Sequence, residues 1–148
     1  MIGIVVVTHG DLGETLIATT RFIFGSPPEG VAAVSVDLET NPDKLHKSIE
    51  DGIKSVDQKD GILLLTDMFG GTPSNLAYSF LEEGRVEVLA GVNLPILIKA
   101  VESRKELQLA DLAASLEKFG RQSITLASGV LKGGGVKVVN PADQLNRA

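Results

Sequence analysis

The chain reads as an α/β protein, a small doubly wound parallel sheet in strand order 2-1-3-4 with helices on both faces. Three observations predict it. Short runs that are apolar on nearly every residue recur along the chain, the mark of strands covered on both faces. Between them lie segments with apolar residues at helical spacing. The joints carry helix-start and helix-stop residues, so the order is strand, turn, helix, repeated four times.

The first strand is residues 2–9, where five of the six residues from 2 to 7 are Ile or Val. Asp11 and Glu14 follow at capping-box spacing. Leu12, Leu16, Thr20 and Ile23 then mark a helix that Gly25 and the pair Pro27 and Pro28 end. Residues 31–36 form a second strand. Asn41 followed by Pro42 is a cap and a first helical position, and Leu45, Ile49, Ile53 and Val56 give the helix one apolar face. Residues 61–65 are a third buried strand. Thr72 and Pro73 repeat the cap-then-proline pattern for a helix with Leu76, Ala77 and Phe80 inward, closed by Gly84. Residues 86–90 are a fourth strand, and 94 to about 101 an apolar helix. Leu109, Leu112, Leu116 and Phe119 mark a last helix that runs past Gly120 toward Ile124. After Gly133, Gly134 and Gly135 comes a short β-prone run, residues 136–139, and then a polar tail.

Composition excludes several classes. A chain of 148 residues suits one domain and can bury about two-thirds of its unfolded surface without staples. It has no cysteine, so no disulfide framework and no thiolate metal site. A net charge of −5, no basic cluster, one Tyr and no Trp argue against nucleic acid as a partner. The first strand is too short to span a bilayer and lacks a signal peptide's flanks, so a cytoplasmic protein without direct membrane insertion is expected.

In the order 2-1-3-4 the switch point lies between strands 1 and 3, at whose carboxyl ends stand His9 and Asp67. Each alone has a bland explanation, a strand-end hydrogen bonder and a loop cap. Side by side they gain a chemistry. A carboxylate that accepts from one imidazole nitrogen fixes the tautomer and leaves the other nitrogen as nucleophile or base. It also stabilises the positive charge that develops when the ring attacks an electrophile. Gly70 and Gly71 allow consecutive N–H groups to point into one cavity, the helix start behind them adds partial positive charge, and Thr72 and Ser74 add hydroxyls. The whole suits phosphate chemistry with neither metal nor cofactor. There is no P-loop lysine and no Gly-x-Ser-x-Gly elbow; Thr8 and Thr72 have no second base to serve them as nucleophiles. The only other histidine, His46, lies among Lys44, Lys47 and Glu50 on a charged helix and reads as solvated surface.

Three stretches taken together resemble the mannose-family enzyme IIA component of the bacterial phosphoenolpyruvate-dependent sugar phosphotransferase system. They are the opening Ile-Val-Val-Val-Thr-His-Gly, the central Leu-Leu-Leu-Thr-Asp-Met-Phe-Gly-Gly-Thr-Pro-Ser-Asn and the later Val-Leu-Ala-Gly-Val-Asn-Leu-Pro-Ile-Leu, in family order over residues 1–130. The resemblance implies a homodimer that exchanges a carboxy-terminal strand. It implies transient phosphorylation of His9, with the histidine-containing phosphocarrier protein as donor and a IIB component as acceptor. Asp67 would pair with the histidine, and Thr66, Gly71, Thr72 and Ser74 would surround the phosphate. Phe69 stands where some members have tryptophan. No IIB domain follows in this chain, so a separate IIB protein is the expected acceptor.

The expected layout is a IIA domain over residues 1–130 and a dimer arm over 131–148. A β-prone run after three glycines supports the arm independently, since pairing with a partner's edge strand would satisfy its backbone. Two other readings compete: a regulatory module that phosphorylation of His9 switches without sugar transport, and a small metabolite-binding or hydrolytic domain with His9 as general base.

Overall fold

The computed structural model describes residues 1–37, 39–56 and 59–132. Four strands, β1 (Gly3–His9), β2 (Val31–Val36), β3 (Ile62–Thr66) and β4 (Val86–Ala90), form one parallel sheet in the order β2-β1-β3-β4. This is the expected 2-1-3-4. Hydrogen bonding on both edges makes β1 central, and its residues from Gly3 to Thr8 are all buried.

Alternating side chains divide the core in two. Ile4 and Val6 of β1 and Leu63 and Leu65 of β3 meet α4 (Leu94–Ser103) and α5 (Leu109–Gln122), with Leu16 and Ile17 of α1 (Leu12–Phe24) packed against them. Val5, Val7 and Leu64 point the other way, to Leu45 and Ile49 of α2 (Pro42–Val56) and Ala77 of α3 (Thr72–Tyr78). The strands carry no polar alternation because each face is roofed by helices. A sixth helix, α6 (Ala127–Lys132), buries none of its residues and had no periodicity to announce it.

Local chemistry differs from the expected pattern at four joints. Asp11 makes no side-chain cap bond to α1; its backbone, at φ −89° and ψ 7°, is not the extended one that swings a capping side chain over the helix end. Gly71, not Thr72, is the N-cap of α3: it is extended at φ −84° and ψ 168°, and Thr72 is already helical. Helix α3 ends at Tyr78 rather than at Gly84, which turns the chain into β4 instead. Helix α5 stops at Gln122, so Ile124 lies beyond it, 81% exposed. The Asn41 cap does form, accepting from the Lys44 N–H at 2.8 Å. The β-prone run 136–139 lies outside the described residues.

Opposite the carboxyl edge of the sheet, Arg104 at the end of α4 is buried and donates to the carbonyls of Ile2, Glu29 and Gly30. It ties α4 to the starts of β1 and β2. Burial lowers its pKa, with the charge of Glu29 opposing the shift.

Candidate functional site

Strand order brings His9 and Asp67 together. His9 ends β1, Asp67 follows the last residue of β3, and the two strands are neighbours in register up to Val7 opposite Thr66. The His9 ring Nδ1 lies 2.8 Å from Asp67 Oδ2, and the His9 backbone N–H donates to the same oxygen at 2.9 Å. The other oxygen, Oδ1, accepts from the Met68 N–H at 2.9 Å. Burial alone would raise the Asp67 pKa, but these bonds and the charge of His9 outweigh it and hold the carboxyl below its ordinary value of 3.8. An ionised carboxylate only accepts, so in the neutral ring Nδ1 carries the proton and the lone pair sits on Nε2. The His9 side chain is 51% exposed and that of Asp67 12%. The imidazole is open to solvent while the carboxylate beside it is sheltered.

The five remaining candidates lie on both sides of Asp67 in the chain, Thr66 before it and Gly70, Gly71, Thr72 and Ser74 after it, in different states. Gly71 lies against the ring: a Cβ there would stand 3.2 Å from His9 Cε1 and 3.7 Å from Nε2. Gly70, at φ +86°, occupies the left-handed region that favours glycine. Its N–H donates to Ser74 Oγ at 3.0 Å, and that buried hydroxyl donates on to the Gly71 carbonyl at 3.0 Å. Ser74 thus closes the turn from within. Thr72 is exposed at the start of α3. Thr66 Oγ1 is buried and has no hydrogen-bond partner among the described residues. His46 is an exposed residue of α2, stacked on Phe80 at 4.6 Å and far from this cluster in the chain.

Two contributions escaped the sequence reading. Thr8 Oγ1 accepts from the Gly13 N–H at 2.8 Å and caps α1 from the preceding strand. The Thr66 carbonyl accepts from both Gly91 and Val92, at 2.9 Å each, and so pins the loop after β4 to the end of β3. Gly13, alone among the helical positions of the first turn in lacking a side chain, was the available sign of the first.

The surroundings are open and apolar. Leu12, Met68 and Phe69 near the site expose 46%, 54% and 80% of their surface, and Phe69 leans on Tyr78 at 5.7 Å between ring centres. A cavity of about 580 Å³ runs along the outer side of α1 past Thr15, Thr19 and Phe22 and does not include His9. Among the described residues no group of three or more His, Asp or Glu is placed to hold a metal ion, and no helix is long and apolar enough to cross a membrane.

Comparison with known proteins agrees with this geometry. The family model described as "PTS system fructose IIA component" matches residues 3–117. A fructose-specific EIIA component of the phosphotransferase system from Bacillus subtilis is 34% identical over 132 residues, covering 86% of this chain and 88% of that protein. The mannose-specific EIIAB component of Escherichia coli K12 is 30% identical over 125 residues; the match covers 83% of this chain but only 38% of that longer protein. Among solved structures, the phosphotransferase system component EIIA from Streptococcus agalactiae superposes with a TM-score of 0.78 at 26% identity, covering 87% of this chain and 99% of that one. With a histidine and its carboxylate at the switch point of a sheet in the expected order, the chain belongs to the mannose family of EIIA components of the sugar phosphotransferase system, and is a phosphotransferase.

Proposed function

We propose that the protein is a phosphoryl carrier and is itself the covalent intermediate. The observation that carries the reading is the bond from His9 Nδ1 to Asp67 Oδ2 at 2.8 Å, which leaves Nε2 free on an exposed ring. The Nε2 lone pair attacks the phosphorus of a phosphohistidine on the histidine-containing phosphocarrier protein. The donor's P–N bond breaks, its electron pair returning to the donor ring, and a P–N bond to His9 forms. The Nδ1 proton stays on its bond to Asp67, whose charge offsets that gained by the ring. A second transfer of the same kind, to a separate IIB component, returns His9 to its starting state.

Within this reading Gly71 makes room at Nε2, and the Thr66, Gly70, Thr72 and Ser74 groups surround the phosphoryl oxygens. The Thr66 hydroxyl has an unused donor for them; the Gly70 N–H reaches them by releasing Ser74. The apolar rim of Leu12, Met68 and Phe69 suits protein partners better than a small metabolite, and a metabolite enzyme would enclose its histidine. The protein works in the cytoplasm. Residues 1–130 are the IIA unit, and 131–148 form the arm of a homodimer, for which the outer edges of β2 and β4 are the available pairing sites.

Incubation with phosphoenolpyruvate, enzyme I and the phosphocarrier is expected to leave an acid-labile phosphate on the parent and none on His9→Ala. Equal labelling of the two would sink the proposal. Label that a cognate IIB protein never accepts would leave the regulatory role instead. Light scattering of the parent against a chain ending at residue 132 tests the arm: a dimer is expected to become a monomer.

A further inference from the structure

Resting on the phosphohistidine reading, we infer that Thr8 is a positioning residue for His9, acting through its hydroxyl on the first turn of α1. Thr8 is completely buried next to the histidine in β1. Its Oγ1 accepts from the Gly13 N–H at 2.8 Å, a donor that the helix itself cannot satisfy and that Asp11 leaves alone. The strand residue before His9 is therefore bonded to the helix that follows it.

The joint is closed on every side. Only Gly10 and Asp11 connect β1 to α1, with Gly10 at φ +53°. The Gly10 N–H is held by the Val36 carbonyl at 2.7 Å. A Cβ on Gly13 would lie 3.2 Å from Thr8 Oγ1, from Val6 Cγ1 and from the Val6 carbonyl, so the helix start sits directly on the strand. His9 stands at the head of this closed turn, and its backbone N–H and ring share one oxygen of Asp67. That double contact needs backbone and ring at once in place. Without the hydroxyl the Gly13 N–H loses its partner, the first turn of α1 loosens, and the backbone of His9 gains freedom that the single carboxylate oxygen cannot remove. A reacting group displaced by about an ångström reacts far more slowly, up to ~100-fold.

The experiment compares the parent with Thr8→Val, which keeps the shape and lacks the acceptor, and Thr8→Ser, which keeps the acceptor. Phosphate transfer from the phosphorylated phosphocarrier is measured as kcat and KM, and the His9 ring is followed by nitrogen-15 NMR through a pH titration. Thr8→Val is expected to lower kcat about tenfold with KM within about twofold, and to reduce the share of ring protonated at Nδ1 in the neutral form; Thr8→Ser restores both. A Thr8→Val protein with a lower Tm but the parent's kcat and ring titration overturns the inference, because Thr8 then only caps a helix. If Thr8→Val does not fold, Thr8→Cys, of similar size with a weak acceptor, takes its place under the same criteria. A parent that takes no label at His9 refutes the phosphohistidine reading instead, and the ring titration still decides for or against Thr8.

Discussion

One oxygen of Asp67 accepts two bonds from His9, 2.9 Å from its backbone N–H and 2.8 Å from its ring Nδ1. The other oxygen takes the Met68 N–H. Asparagine has a single acceptor and cannot serve both sides. In Asp67→Asn, acceptance of phosphate at His9 is expected to fall ~10–100-fold, the usual effect of losing a histidine's orienting carboxylate. Label incorporation over time checks this, and a parent-like rate would remove Asp67 from the mechanism.

The same pair sets a pH dependence. The folded Asp67 carboxyl titrates below its ordinary value. A depressed folded pKa stabilises the fold above the unfolded pKa, and that contribution is lost as pH falls through the folded value. The difference in Tm between the parent and Asp67→Asn is therefore expected to shrink as the pH falls below about 4. A gap that widens below about pH 4 would contradict the assigned sign.

Gly70 and Gly71 are adjacent and are required for opposite reasons. Gly70→Ala places a side chain in open space but at φ +86°, which costs about 1–2 kcal/mol. Its Tm is expected to drop by a few degrees, at about 2–4 °C per kcal/mol. Gly71→Ala sits on ordinary backbone at φ −84°, yet its Cβ reaches 3.2 Å from the His9 ring. Thermal melts with labelling separate the two: Gly71→Ala is expected to keep its Tm and label slowly.

Much of this site was legible because topology placed it. Apolar runs gave the strands, the strand order gave the neighbours, and the ends of β1 and β3 are then His9 and Asp67 with no need of side-chain detail. What stayed hidden depends on local backbone angles. Gly71 caps α3 because it is extended there, and Asp11 fails to cap α1 because it is not. The Thr8 bond to Gly13 spans five residues across a turn, outside the three-residue spacing that marks a capping box. Helix α6 has six residues and no buried face, so no period could reveal it.

Arg104 offers a control at the far edge of the sheet. Arg104→Leu leaves the carbonyls of Ile2, Glu29 and Gly30 without this donor, expected to cost roughly 1–3 kcal/mol in chemical unfolding. The folded fraction is expected to take phosphate at the parent rate, since the lesion lies at the opposite ends of β1 and β2. A slowed rate in fully folded protein would show that the two edges communicate.

The order β2-β1-β3-β4 has a consequence for the newborn chain. The first two strands and the helix between them emerge together and can pair at once, with His9 at their tip. Its carboxylate is 58 residues away and arrives only when β3 docks on the free side of β1. A ribosome-bound fragment that stops short of β3 holds the histidine without the group that orients it. On the proposed reading a fragment without Asp67 accepts phosphate more slowly, so the rate of labelling at His9 is expected to report whether β3 has docked beside β1.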